Sequence, residues 1–117
     1  MAQDYVGSNN INLLQPIGQF GTRLGGDHDS AHARYIFTRL SEMTKFFFNS
    51  DDDPLLKYLF ENRKPIKPEV YMPIIPMALV NGENGVATGF KTQIPNYDPK
   101  DIVKNLKLMI KGKNPHP

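Results

Sequence analysis

The spacing of apolar residues predicts a helix near the end of the chain. Five of them recur three and four residues apart, which places them on one helical face: Ile102, Val103, Leu106, Met109 and Ile110. Asp98 can cap the first turn, Pro99 fits that turn, and Gly112 suits the end. The other face carries Lys100, Lys104, Lys107 and Lys111. Such a lysine-rich face is typical of solvent exposure, and contact with a nucleic-acid backbone is the alternative.

Residues 34 to 62 predict a strand followed by two helices. Residues 34 to 40 are rich in aromatic and β-branched side chains, which favour a short strand. Ser41 can cap a first helix that continues through Phe47 and ends at the three aspartates that follow. Pro54 fits the first turn of a second helix, which ends by Asn62. The apolar stripe of that second helix is Leu55, Leu56, Leu59 and Phe60.

Prolines and glycines divide the remaining segments. Residues 8 to 14 predict a turn leading into a loop, and residues 21 to 33 predict a mobile loop or the wing of a small sheet. Prolines interrupt the apolar residues 70 to 80, so this stretch predicts extended pieces at sheet edges. Two Asn-Gly steps in residues 81 to 89 predict a turn. This turn would join residues 77 to 80, at the end of the apolar stretch, to residues 90 to 94 as a hairpin.

The composition is that of a folded domain without disulfides. The 117 residues are 39% hydrophobic and 22% charged, which suits one domain or parts of two. Cysteine is absent, which excludes disulfides and thiolate metal sites. We expect an intracellular protein, because no apolar run approaches the roughly 18 to 20 residues of a membrane span and the first residues lack signal-peptide features. The net charge of +2 makes any nucleic-acid contact depend on local clustering.

Arg34 and Tyr35 are a candidate pair for nucleophilic chemistry. Forming a phenolate from tyrosine at pH 7 costs roughly 4 kcal/mol, because the ordinary pKa of its hydroxyl is about 10. An adjacent guanidinium can lower that cost and also contact phosphate oxygens. Neighbouring residues of a regular strand point to opposite faces, so the pair can share one phosphate only if the strand begins irregularly at Arg34. By residue type alone, the pair is typical of a packing tyrosine beside a surface arginine.

Six runs along the chain resemble the DNA-breaking region of type IIA topoisomerases. The eukaryotic and viral topoisomerase II branch resembles the chain more closely than gyrase does. The runs follow one order with family-like spacing: residues 6 to 14 (VGSNNINLL), 15 to 23 (QPIGQFGTR), 29 to 31 (DSA), 34 to 38 (RYIFT), 73 to 77 (PIIPM) and 81 to 89 (NGENGVATG).

The resemblance implies roles for residues in the first half of the chain. Tyr35 matches the tyrosine that attacks a DNA phosphate and becomes linked to the 5′ end, and Arg34 matches the arginine that supports the transition state. Five further positions are implied DNA contacts: Gln19, Thr22, Arg23, His28 and Ser30. His28 departs from the family, which commonly has lysine there, so that contact would be weaker and pH-dependent.

The resemblance also implies a DNA-bending residue at the predicted hairpin. In the family an isoleucine at this position inserts between base pairs, and Val86 matches it here. Valine reaches less far, and Ala87 stands where the family more often has glycine. From the residues alone, Val86 is more typical of a hairpin side chain that packs on its own sheet.

No metal site is predicted in this chain. Asp27, His28, Asp29 and His32 form a candidate ligand cluster, but the glycine-rich segment does not favour the helix that would align the two histidines. The acidic residues 51 to 53 are typical of a solvated helix end. The resemblance implies Mg²⁺ and ATP for the complete enzyme, both bound outside this chain.

The resemblance implies an α+β fold: residues 1 to 48 as the C-terminal part of a winged-helix, helix-turn-helix-like domain, and residues 49 to 117 as the start of a mixed α/β tower domain with the hairpin. It further implies a fragment of a homodimeric DNA topoisomerase II that cleaves double-stranded DNA for ATP-dependent strand passage. Such an enzyme acts in the nucleus, or in the host cytoplasm or nucleus if viral. The alternatives are a non-catalytic module that binds and bends DNA, and a segment that only joins domains.

Overall fold

Three separate antiparallel strand pairs organise the chain. The structure is a computed structural model that describes all residues 1–117. The pairs are β1 (Leu14–Ile17) with β2 (Phe37–Leu40), β3 (Tyr58–Glu61) with β4 (Lys64–Pro68), and β5 (Glu83–Ala87) with β6 (Phe90–Ile94). The helices are α1 (Thr44–Phe47), α2 (Met77–Asn81) and α3 (Pro99–Ile110). Strands and helices therefore mix along the chain, and the α+β class is confirmed.

Helix α3 forms where the apolar spacing predicts it. The Asp98 side chain accepts a hydrogen bond from the Lys100 backbone N–H at 2.8 Å, and Pro99 opens the helix. Gly112 follows the end with a φ of 71°, a left-handed conformation that favours glycine. Ile102 is buried on the apolar face, while Ile110 at the far end is exposed.

The first strand pair is only partly predicted. The strand expected over residues 34 to 40 begins later, at Phe37, because Ala33–Tyr35 form a turn of 3₁₀ helix. Strand β1 replaces the predicted loop at Leu14, and its Pro16 lies opposite Thr38. A proline is tolerated here because each strand of a two-stranded pair has one edge without a partner. The helix expected after Ser41 forms as α1, which is a single turn.

The prediction of a helix that begins at Pro54 is wrong. A 3₁₀ helix over Ser50–Leu55 leads into the hairpin of β3 and β4 instead. Asn62 and Arg63 connect the strands with φ angles of 49° and 64°. Positive φ at both central residues matches the twist of hairpin strands, so this tight turn closes a strand pair and prevents a helix.

Residues 70 to 80, the apolar stretch before the β5–β6 hairpin, also differ from the prediction. The last residues of this stretch form helix α2 in place of the extended structure that its prolines predict. Gly82, with a φ of 71°, ends α2, and the chain turns directly into β5. A hairpin forms with the predicted second strand, β6, but its first strand is β5 and not residues 77 to 80, and its turn is at Thr88 and Gly89.

The core is small and draws on distant segments. Its four buried residues are Phe47, Ile75, Val80 and Ile102, and Val80 is completely buried. Only 6 of the 117 residues are buried, and the radius of gyration is 17.1 Å. A compact domain of this length has a radius of about 13 Å. The chain is therefore open, and it presents large apolar side chains to solvent.

We expect Val80→Ala to lower the free energy of unfolding by about 2 kcal/mol, since it leaves a cavity in this core. Val86→Ala is the matched control, because Val86 is 85% exposed and should change stability by less than about 0.5 kcal/mol. Chemical denaturation followed by circular dichroism measures both variants. Equal losses would show that Val80 does not anchor the fold.

Candidate functional site

Tyr35 lies on the surface at the end of the 3₁₀ turn that precedes β2. Its backbone N–H donates to the His32 carbonyl at 2.9 Å. The residue is 67% exposed, and its hydroxyl makes no hydrogen bond to the protein. Its ring meets the ring of His32 edge to face, with the centroids 6.3 Å apart. The tyrosine is therefore held by its backbone and its ring while its oxygen remains accessible.

Arg34 shares this turn and faces the same region as Tyr35. The Cζ atom of its guanidinium lies 5.4 Å from the centroid of the Tyr35 ring, within the range of a cation–π contact. The irregular start of the strand brings the pair together, since the 3₁₀ turn removes the alternation that would send adjacent side chains to opposite faces. No carboxylate pairs with Arg34, so its N–H groups are available to a ligand.

His32 holds the turn through its side chain. Its Nδ1 accepts a hydrogen bond from the Arg34 backbone N–H at 3.4 Å. In sequence, His32 suggests only a metal ligand. Its position just before the three residues of the 3₁₀ turn is the signal that identifies it as a cap.

The glycine-rich segment before Tyr35 forms a closed loop and not the wing of a sheet. Thr22 and Gly26 bond to each other through two backbone hydrogen bonds of 3.1 and 2.7 Å. The Thr22 hydroxyl donates to the Asp29 carboxylate and accepts from the Gly25 N–H. Gly21, with a φ of 130°, fits only because it lacks a side chain: a Cβ there would lie 2.5 Å from the Gly26 carbonyl oxygen.

The loop presents polar groups beside the segment that carries Tyr35. Arg23, His28 and Ser30 are exposed, and no acidic side chain pairs with Arg23. The Gln19 carbonyl accepts from the Ala31 N–H at 2.9 Å, which ties the start of the loop to the residues before the 3₁₀ turn. Arg23, Arg34 and Tyr35 are thus all exposed, on a loop and a turn that this hydrogen bond links.

Val86 lies near the turn of the β5–β6 hairpin. It sits opposite Lys91 on β6 and is 85% exposed. Phe90, at the first position of β6, is 80% exposed. Val86 therefore does not pack on its own sheet, and the hairpin end presents apolar surface beside a lysine.

The candidate metal ligands do not converge. No group of three or more histidine and carboxylate side chains is arranged to hold a metal ion. One member of the candidate cluster, Asp29, accepts the Thr22 hydroxyl. Separately, none of the helices has both the length and the apolar character needed to cross a membrane.

Sequence reasoning misses a set of asparagines that join the two halves of the chain. Asn10, Asn81 and Asn96 each bond to backbone groups at least 70 residues away. Asparagine is common in turns, so residues 9 to 12 indicate only a turn. No local signal reveals a partner so distant in sequence.

Comparisons with known proteins agree along the whole chain. A family model that describes the A subunit of DNA gyrase/topoisomerase IV matches residues 1–116. DNA topoisomerase 2 top-2 of Caenorhabditis elegans is 62% identical over 112 residues, which are 96% of this chain. Human DNA topoisomerase 2-beta is 55% identical over 117 residues, which are 100% of this chain. The chain spans about 7% of the length of these curated relatives.

A solved structure resembles this one in fold as well. It is described as the Plasmodium falciparum topoisomerase II DNA-binding, cleavage and re-ligation domain, and it is 52% identical to this chain. The superposition has a TM-score of 0.88 and covers 99% of this chain and 16% of that one. In that structure, the region that matches this open arrangement is therefore one part of a larger chain.

We expect Gly21→Ala to open the glycine-rich loop, because the added Cβ collides with the Gly26 carbonyl. Trypsin should then cleave after Arg23 faster than in the unsubstituted protein, by roughly an order of magnitude for a strain of 1 to 3 kcal/mol. Gly7→Ala is the matched control, because Gly7 also has a positive φ, 96°, but has open space around it. Cleavage at an unchanged rate in Gly21→Ala would contradict the close packing of the loop.

Proposed function

Because this chain belongs to the type IIA topoisomerase family, whose gyrase/topoisomerase IV model matches residues 1–116, we propose that it carries the DNA-cleaving tyrosine of a topoisomerase II. The observation that supports this most directly is the exposed Tyr35 with Arg34 beside it in one 3₁₀ turn. A packing tyrosine would bury its ring or bond its hydroxyl, and Tyr35 does neither.

The proposed reaction is a reversible transfer of one phosphodiester bond. The Tyr35 oxygen attacks the phosphorus of a DNA phosphate and gives up its proton. The bond from phosphorus to the 3′ oxygen breaks, and that oxygen leaves as a 3′ hydroxyl after taking up a proton. The 5′ phosphate is then joined to Tyr35, and the reverse attack by the 3′ hydroxyl reseals the strand.

Arg34 is proposed to stabilise the charge that develops in this step. Its guanidinium can donate two hydrogen bonds to phosphate oxygens while it remains near the Tyr35 ring. Stabilisation of this kind matters most when both the attacking oxygen and the phosphate carry negative charge. Arg34 therefore acts on the barrier more than on the affinity for DNA.

The surrounding loop is proposed to hold the DNA backbone. Arg23, His28 and Ser30 are exposed for phosphate contacts, and Gln19 flanks the loop. Thr22 contributes differently from the other implied contacts, because its hydroxyl is already bonded to Asp29 and Gly25. Thr22 keeps the loop closed so that its backbone can approach a phosphate.

Val86 is proposed to bend the DNA. Its exposed side chain at the hairpin end can insert between base pairs, and the neighbouring Lys91 can contact the adjacent phosphate. A bent duplex then reaches more of the protein surface than a straight one.

The wider assignment rests on the family. We infer that residues 1 to 48 are part of a winged-helix domain and that residues 49 to 117 begin the tower domain. The two parts share one core, which includes Phe47 from the first part and Val80 from the second. The complete protein is proposed to be a nuclear homodimer that uses ATP for strand passage. Mg²⁺ is proposed to be held outside this chain, as the family resemblance implies.

A module that binds DNA without cleaving it is the second candidate. Helix α3 favours it, because Lys100, Lys107 and Lys111 are exposed and free of acidic partners, while Lys104 pairs with Asp101 at 3.3 Å. Both candidates predict DNA binding that weakens with salt. Only the hypothesis of a DNA-cleaving enzyme predicts a covalent link between DNA and Tyr35.

Tyr35→Phe in the complete subunit should abolish the covalent protein–DNA adduct, because it removes the attacking oxygen. DNA binding should change little. The assay traps adducts with a denaturant and counts labelled DNA that stays with the protein. Tyr71→Phe is the control, since Tyr71 is similarly exposed, at 60%, but lies in another segment. Adducts that survive in Tyr35→Phe would reject the proposed nucleophile.

Arg34→Ala should slow adduct formation by roughly a hundredfold, as expected when one charged donor to a transition state is lost. The dissociation constant for duplex DNA should rise by less than about tenfold, since one phosphate contact is a small part of the total. Single-turnover cleavage and a binding titration measure the two effects. Arg63→Ala, in the turn between β3 and β4, is the control and should change neither the cleavage rate nor the dissociation constant. Equal losses in both assays for Arg34→Ala would contradict a transition-state role.

A further inference from the structure

Asn81 clasps a distant segment of the backbone. Its side-chain Oδ1 accepts from the Ile11 N–H at 2.9 Å, and its Nδ2 donates to the Ile11 carbonyl at 2.9 Å. One side chain thus satisfies both backbone groups of a residue 70 positions away. Asn81 is the last residue of α2, so its backbone is fixed by the helix that contains the completely buried Val80.

Two further asparagines fix the same segment to both ends of the second hairpin. Asn10 donates to the Val80 carbonyl at 2.8 Å and to the Tyr97 carbonyl at 3.2 Å. Asn96 donates to the Ser8 carbonyl at 3.0 Å. Asn81 precedes β5, whereas Asn96 follows β6, so residues 8 to 11 hold the hairpin at its base.

The same segment is bonded on its other side to the residues that follow β2. The Leu13 carbonyl accepts from the Thr44 hydroxyl at 2.6 Å and from the Ser41 N–H at 3.0 Å. Leu14 then pairs with Leu40 in the first ladder. Only Asn12 and Leu13 therefore separate the clasp at Ile11 from β1, whose partner β2 begins just after the 3₁₀ turn that contains Tyr35.

The hairpin has little freedom to pivot at this junction. Gly82 links Asn81 to β5, and a Cβ at Gly82 would lie 2.7 Å from both the Asn96 Oδ1 atom and the Ile94 carbonyl oxygen. The link is thus packed against the other end of the same hairpin. Movement of the hairpin relative to Ile11 requires the Asn81 hydrogen bonds to break.

We propose that Asn81 is a positioning residue that sets the placement of the Val86 hairpin relative to Tyr35. This inference rests on the proposed function, in which Val86 bends the duplex that Tyr35 cleaves. Bending stores elastic energy in the DNA, and the protein must hold the hairpin against it. Without the clasp, the hairpin yields and the scissile phosphate of a stiff duplex no longer reaches Tyr35.

The experiment compares two DNA substrates in a complete subunit that carries this segment. One is an intact duplex, and the other has unpaired bases at the bend, which makes it flexible. Asn81→Ala should reduce adduct formation by about tenfold or more on the intact duplex, as expected for two lost hydrogen bonds. On the flexible duplex the loss should be less than about threefold, since little bending force remains.

Asn105→Ala is the matched control. Asn105 also clasps the backbone, with bonds of 2.9 and 3.0 Å to His116, but it lies on α3 away from the hairpin. The Asn105→Ala variant should cleave both substrates at the rate of the unsubstituted protein. Asn81→Asp is the second variant if alanine prevents folding, because it keeps the acceptor for the Ile11 N–H and loses the donor; it should show the same dependence on substrate.

Fluorescence energy transfer between dyes at the two DNA ends gives a second measurement. It should report a smaller bend in the intact duplex with Asn81→Ala than with Asn105→Ala. Equal losses of cleavage on both substrates, or an unchanged bend, would overturn the proposal and leave Asn81 with a role in stability alone. Failure of the proposed function is distinguished by Tyr35→Phe, which would then still form adducts.

Discussion

The packing of Val80 against Phe47, Ile75 and Ile102 is the interaction on which the rest of the structure depends. These side chains come from three helices and one irregular segment, and few other residues are buried. Because the three strand pairs do not join into one sheet, no ladder of backbone hydrogen bonds connects them. The small core and the asparagine side chains around it must therefore supply the order that a continuous sheet supplies elsewhere.

The arrangement separates two kinds of element. The buried cluster forms the interior and the clasped backbone is partly buried beside it, whereas the 3₁₀ turn with Tyr35, the glycine-rich loop and the Val86 hairpin lie on the surface. Each exposed element is short and closed by its own hydrogen bonds. Short closed elements on a fixed support hold side chains in place without a large core, which suits the DNA contact proposed for this surface.

Local signals predict part of this fold and miss the rest for identifiable reasons. Helix α3 is predictable because its cap, its apolar spacing and its terminal glycine all lie within one segment. The β3–β4 hairpin is missed because Asn62 and Arg63 turn without a glycine, and the apolar residues before them also fit a helix. Helix α2 is missed because prolines before it favour extended structure, although Pro76 can precede a helix. The site comes from resemblance, since the residue types of Arg34 and Tyr35 indicate only packing, and the asparagine clasp depends on partners 70 residues apart.

The openness of the chain has a consequence for its synthesis. Leu24, Leu55, Val86 and Ile110 are each at least 83% exposed, and Phe60 is 67% exposed. A ribosome adds about 5 to 20 residues per second, so these side chains reach water over several seconds as a copy is made. Uncovered apolar surface of this kind attracts chaperones and other nascent chains. The concentration of newly made copies would then influence how much of this chain reaches its folded state.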